Sequence, residues 1–143
     1  MVMAKTSKLT PIVYLVLFKD DRVLLSLRKN DVQTGSNYSF IYVYITDGEA
    51  PEDSLIEEVK NEIGLSIEKD DLKRALVIHR HPHILELFFT VKKWEGEIIN
   101  LEPEFCENLN FFSPYDFPDN IDPVVEECIE ALKKGKSYIK QGF

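Results

Sequence analysis

Two apolar runs open the chain, residues 11–18 and 22–28, both rich in leucine and β-branched residues and joined by Lys19-Asp20-Asp21. Their pattern predicts a β-hairpin. In the second run Val23, Leu25 and Leu27 face one side, with Leu24, Ser26 and Arg28 on the other, so Arg28 falls at a strand end among apolar neighbours. Residues 30–37, with Thr34-Gly35-Ser36-Asn37, form a polar loop. Residues 38–45 then read as a strand. Tyr38, Phe40, Tyr42 and Tyr44 line one face, and Ile41, Val43 and Ile45 the other, so both faces are expected to be covered. An aromatic stripe at this spacing reads first as core, with stacking on a base as the alternative.

A helix is predicted from Pro51, favoured in a first turn, to Gly64, suited to a C-terminal cap. At about 100° per residue, Leu55, Ile56, Val59 and Ile63 share one sector, and Ser54, Glu58, Asn61 and Glu62 the next. Glu58 and Glu62 are therefore stacked one turn apart. Such a like-charged pair costs a few tenths of a kcal/mol in an isolated helix, so either solvent screens it or a cation sits between the two. Ala50 precedes Pro51 where a capping side chain would be expected, and Glu52 and Asp53 compensate through the helix dipole.

Strands are expected at 72–80 and 84–94, connected through His81-Pro82-His83. The spacing of His79, His81 and His83 could recruit a transition metal, but without cysteine or carboxylate partners these read as ordinary loop histidines. Glu95-Gly96-Glu97 makes a turn, and the loop 100–107 carries Glu102, Glu104 and Glu107. A last strand follows at 109–113. Asp122-Pro123 then caps a helix whose stripe of Val125, Cys128, Ile129 and Leu132 should cover one side of a sheet before Lys133-Lys134-Gly135 ends it.

With 143 residues, 44% of them hydrophobic, the chain suits one domain, 1–143, with a proper core. A formal charge of −8 and a pI near 4.9 argue against a nucleic-acid polymer or an anionic membrane as partner. No apolar run approaches the roughly 20 residues of a membrane span, and residues 1–10 lack an apolar signal core. A cytoplasmic location is expected. Cys106 and Cys128 fit that compartment as reduced thiols, with Cys128 on the apolar stripe of the second helix. There is no internal repeat or dividing linker.

The segment from Glu49 through Glu58, Val59 and Glu62 to Gly64-Leu65 resembles the Nudix box, G-x5-E-x7-R-E-U-x-E-E-x-G-U, with U aliphatic, of the MutT-like Nudix hydrolases. Three positions depart from the pattern: Val43 stands for the first Gly, Glu57 for Arg, and Asn61 for the first Glu of the closing pair. The box is therefore degenerate.

The resemblance implies an α/β fold, the Nudix α/β/α sandwich with a mixed β-sheet between helices. It implies a hydrolase that cleaves a diphosphate linkage in a small-molecule nucleotide or nucleoside diphosphate derivative with metal-activated water. Mg²⁺, or Mn²⁺, would be held by Glu58 and Glu62, with Glu58 also the candidate base and Asn61 offering an uncharged carbonyl. The family's strand-end arginine on the phosphates would be Arg28. Arg80 is a second candidate for an anionic substrate. Nudix proteins often draw one more acid from a late loop, which leaves Glu102 and Glu104 open.

The departures bear on activity. In the family an arginine braces the neighbouring glutamate; Glu57 adds like charge instead, and no one-for-one replacement is visible in sequence. A β-branched Val43 cannot cheaply take the conformation that glycine allows there, so either the loop is rebuilt or the usual metal geometry is not formed. The alternative function is a catalytically impaired Nudix-fold module that binds a nucleotide or a protein. Monomer and homodimer are equally compatible with the sequence.

Overall fold

The computed structural model describes residues 4–143. Nine strands and two helices follow in the order β1 (Thr10–Val16), β2 (Phe18–Lys19), β3 (Arg22–Arg28), β4 (Tyr38–Ser39), β5 (Ile41–Tyr44), α1 (Pro51–Ile63), β6 (Leu72–Arg80), β7 (Ile84–Val91), β8 (Cys106–Phe112), α2 (Pro123–Lys133) and β9 (Tyr138–Gln141). A five-stranded sheet runs β5-β1-β7-β6-β9, mixed because β1–β7 and β6–β9 are parallel pairs and the others antiparallel. A second sheet is built around β3, which pairs with β2, β4 and β8.

The main sheet separates two cores. Ile12, Tyr14 and Val16 point with Leu76, Ile78 and Phe88 toward Val125 and Cys128 of α2. Val13, Leu15 and Leu17 point with Ile41 and Phe89 toward Leu55, Val59 and Ile63 of α1. All six β1 and neighbouring residues from Ile12 to Leu17 are at most 1% exposed. Such a run, apolar at every position, belongs to a central strand covered on both faces. Each fully buried aliphatic side chain of α1 contributes about 1.5–3 kcal/mol, so the apolar face of the helix clamps it to the sheet. The α/β/α sandwich expected from the resemblance is the observed architecture.

Two expected strands are each divided between the sheets. The predicted hairpin of 11–18 with 22–28 does not form as such: β1 takes β5 and β7 as neighbours, and only Phe18–Lys19 pairs with β3. The turn is the short one that the sequence suggests, with Asp20 and Asp21 at φ 51 and 62, the left-handed pair that matches hairpin twist. Residues 38–45 likewise break at Phe40, β4 joining β3 and β5 joining β1. The two-faced alternation survives the break, with Tyr38, Phe40 and Tyr42 on the α2 side and Ile41, Val43 and Ile45 on the α1 side. The strand expected at 109–113 starts earlier, at Cys106, and β9 was not foreseen.

Both helices have the anticipated ends. Ala50 makes no side-chain cap, and Gly64 takes the left-handed conformation at φ 77 with its N–H on Lys60 O. In α2 the Asp122 carboxylate accepts from the Val124 N–H. Both cysteines are free and buried, and burial pushes the Cys128 thiol up to about 12, as befits an inert packing thiol.

Candidate active site

Three carboxylates meet at the C-terminal end of α1. Oxygens of Glu58, Glu62 and Glu102 lie within 4.8 Å of one another. Glu58 and Glu62 come from one face of the helix. Glu102 arrives from the loop before β8, which is tied to the helix end: Leu101 N–H donates to Glu62 O and Ile99 N–H to Ile63 O, both at 3.0 Å. These bonds satisfy carbonyls that any helix terminus leaves open. Asn100 tightens the loop, accepting from Glu102 N–H at 3.0 Å and donating to Cys106 O at 2.9 Å. A Cβ on Gly96 (φ +106) would stand 3.0 Å from Gly64 O, so glycine alone allows that close approach.

The electrostatics of the cluster are unfavourable as it stands. Glu62 is 1% exposed. Within 4.8 Å of one another, each pair of ionised carboxylates repels by at least about 3 kcal/mol at an effective dielectric of 20. Burial, and then the neighbouring Glu58 and Glu102, push the Glu62 carboxyl up to about 8 against the pull of Arg28. Glu62 Oε2 and Glu102 Oε1 are both buried without a hydrogen-bond partner. Native interiors seldom leave such atoms unpaired. Hard oxygen ligands converging from three acids suit a divalent cation such as Mg²⁺, and the residues present fit one.

Beside the cluster opens a cavity of about 330 Å³ lined by Arg28, Lys29, Asn30, Asp31, Tyr42, Val43, Tyr44, Glu58 and Phe105. Larger grooves of about 510 Å³ lie elsewhere, one between Phe18, Tyr115 and Leu132, but the carboxylate trio does not line them. Arg28 faces the trio, its Nη1 donating to Glu62 Oε1 at 2.6 Å and its Nε 3.4 Å from Asp31 Oδ2. A bulge between Leu27 and Arg28, where the β8 register skips Glu107, lies next to this contact. Asp31 in turn accepts from the Tyr42 hydroxyl at 2.8 Å.

The remaining sequence candidates fall elsewhere. Asn61 and Glu57 are exposed, and so is Glu104, so the late-loop acid beside Glu62 is Glu102. Arg80 sits on the α2 side of the main sheet, where Glu86, Glu127 and Gln141 take up its donors; the structure uses it as a structural cation rather than leaving it open to an anion. The histidines are not part of a ligand cluster among the described residues; His79 and His81 instead pack edge-on against Phe143. Glu49 accepts from Ser54 Oγ at 3.1 Å, and Ser54 Oγ accepts from Thr46 N–H at 3.0 Å, which locks the loop into α1 in place of a cap. Asp31 and Asn100 were not foreseen as site residues, and Tyr42 was foreseen only in the aromatic stripe, as core or as a base-stacking face, not as a partner of Asp31. Asp31 and Asn100, both in polar loops and each accepting from the N–H two residues on, carried local turn signals.

No family model matches the chain. The crystal structure of the MutT NUDIX hydrolase from Burkholderia pseudomallei superposes on it with a TM-score of 0.76, covering 87% of this chain and 98% of that one at 19% identity. The fold is Nudix. Two curated relatives point the same way in sequence. The 8-oxo-dGTP diphosphatase of Escherichia coli is 26% identical over 122 residues, 82% of this chain and 94% of that protein. The NAD-capped RNA hydrolase NudC of Pseudomonas putida is 28% identical over 111 residues, 78% of this chain; the chain spans about two fifths of that relative's length, 39%.

Within the Nudix frame the degenerate box positions have structural answers. Val43 is not bent into a glycine-like conformation: no residue of β5 has a positive φ, and Val43 pairs with Val13 in a regular antiparallel ladder while its side chain packs toward α1. Glu57 points to solvent, where its charge is screened.

Proposed function

We propose that this chain is a divalent-metal-dependent hydrolase, working in the cytoplasm, that cleaves a diphosphate linkage in a small-molecule nucleotide or nucleoside diphosphate derivative. The observation that carries the reading is the trio Glu58, Glu62 and Glu102, with two buried carboxylate oxygens that receive no donor from another residue when the acids are ionised. Glu62 and Glu102 are the ligands, and Glu58 completes the set. A bound Mg²⁺ or Mn²⁺ would supply neutralisation of phosphate charge and acidify a water.

Glu58 also borders the cavity. It is thus the acid best able to touch a water or a substrate oxygen and take a proton there. Lys29 and Arg28 on the cavity wall offset the charge of an entering diphosphate. The names of the two relatives, an 8-oxo-dGTP diphosphatase and a NAD-capped RNA hydrolase, support a nucleotide-derived substrate. No helix among the described residues is long and apolar enough to cross a membrane.

One observation favours the competing reading of a Nudix-fold binding module: the box contributes two helix acids rather than three, with Asn61 at the surface. Phosphate and pyrophosphate release across a nucleotide panel, with Mg²⁺ or Mn²⁺, separates the two. Metal-dependent turnover that is lost in both Glu58→Gln and Glu62→Gln supports the hydrolase. An absence of turnover on every substrate, together with no metal-induced rise in melting temperature, would leave only the binding module.

A further inference from the structure

Arg28 lines the cavity, yet its guanidinium is held at two points. Nη1 lies 2.6 Å from Glu62 Oε1, Nε lies 3.4 Å from Asp31 Oδ2, and the Tyr42 hydroxyl donates to Asp31 at 2.8 Å. The Asp31 side chain is 7% exposed and that of Glu62 2%, so both carboxylates are shielded from water while Arg28, at 24%, keeps one edge toward the cavity. The helix that carries Glu62 brings no cation of its own to it: Glu57 is an acid, and both Glu57 and Lys60 are exposed.

We propose that Arg28 is a positioning residue for the carboxylate trio. By occupying Glu62 Oε1 it leaves Oε2 as the oxygen available to a cation beside Glu58 and Glu102, and Tyr42, through Asp31, holds the guanidinium in that role. The inference rests on reading the trio as a divalent-cation site. A guanidinium suits the task because its planar fork reaches two carboxylates in one fixed geometry, which the single ammonium of lysine cannot reproduce. Swinging Arg28 out to a phosphate would abandon a buried carboxylate, so the pair behaves as one unit.

The proposal has an unusual sign. A positive charge repels a cation, so on Coulomb's law alone removing Arg28 would tighten metal binding. A positioning role demands the opposite. The test is Mn²⁺ binding to the full chain without nucleotide, read from the electron paramagnetic resonance of free Mn²⁺, with circular dichroism to check folding. Dissociation constants are expected to rise about tenfold or more in Arg28→Met, as for other residues that orient metal ligands. Arg28→Lys, which keeps the charge but not the two-point hold, should fall between that variant and the unaltered chain. Tyr42→Phe, which changes no charge, should weaken binding about threefold by loosening Asp31.

Unchanged or tighter binding in Arg28→Lys and Arg28→Met overturns the proposal. Should Arg28→Met fail to fold, Arg28→Lys and Tyr42→Phe decide, and unchanged binding in both overturns it equally. Nucleotide turnover by the unaltered chain without the Arg28 effect removes the positioning role and spares the hydrolase. The Arg28 effect without turnover does the reverse. Failure of the unaltered chain to bind Mn²⁺ removes both.

Discussion

Two buried glutamates, each gripped by an arginine, sit on opposite sides of the main sheet. Glu86 is 3% exposed and Glu62 is 1% exposed. Glu86 is closed: Tyr14 donates to Oε2 at 2.7 Å, Arg80 takes Oε1, and Arg80 goes on to Glu127 at 2.9 Å and to Gln141. The network ties β1, β6, β7, β9 and α2 together. Glu62 is open: Arg28 takes Oε1, but Oε2 has no partner and faces two further acids. Burial and an arginine are common to both. What distinguishes a site from a strut is the lone pair left over and the sign of the charge around it.

The comparison can be broken first at Glu62. Glu62→Gln should lower metal-dependent hydrolysis by about two orders of magnitude or more, comparable to losing a directly acting acid or base, while the metal-free chain keeps its stability near neutral pH, where the amide replaces a protonated carboxyl, and gains it above pH 8, where it replaces a repelled carboxylate. Steady-state rates beside urea unfolding check both halves. A strong loss of stability without loss of rate would make Glu62 a strut like Glu86.

Glu86→Ala should behave in the opposite way. Losing Glu86 leaves the buried Tyr14 hydroxyl without its acceptor and Arg80 with only Glu127 and Gln141, which should cost about 1–3 kcal/mol, while turnover at a temperature where the variant stays folded remains close to that of the unaltered chain. Equilibrium unfolding gives the first quantity and a rate normalised to folded protein the second.

Solvent pH sharpens the contrast. The Glu62 carboxyl titrates near 8 in the folded chain, well above the 4.5 of an unperturbed glutamate. Between those values the folded state holds a proton that the unfolded state has released, so stability of the metal-free chain should fall as pH rises from 5 to 8, by on the order of a few kcal/mol. Saturating Mg²⁺ should flatten the slope, because an ion stabilises the ionised trio. Melting curves at fixed ionic strength, with and without Mg²⁺, test this; a flat metal-free profile counts against it.

Asn61→Glu with Glu57→Arg should have the smallest effect. Both positions are exposed, where added charges contribute about 1 kcal/mol or less, so Mg²⁺ affinity measured by calorimetry should rise by less than about tenfold. A larger gain would mean that the side chain at position 61 reaches the ion directly.

Much of this was legible in the residues. The two helices ended where Pro51, Gly64, Asp122 and Gly135 said they would, because caps act within one turn. Glu58 and Glu62 shared a face because helical spacing requires it. The division of residues 11–18 and 38–45 between two sheets was not legible, since alternation records which face a side chain occupies and not which strand lies beside it. Glu102 and Glu104 were indistinguishable in sequence; backbone bonds from 99 and 101 to the end of α1 separate them.

The sequence by itself determined the helix, the register of its two acids and the apolar face that anchors it, all of which follow from local periodicity and burial. Tertiary structure decided that Arg28, 34 residues from Glu62, grips that acid. It also decided that Arg80 is spent on Glu86, that Val43 extends a strand instead of bending one, and that Glu102 completes the trio. Each depends on which distant groups share a buried space, and long-range electrostatic pairing leaves no periodic trace along a chain.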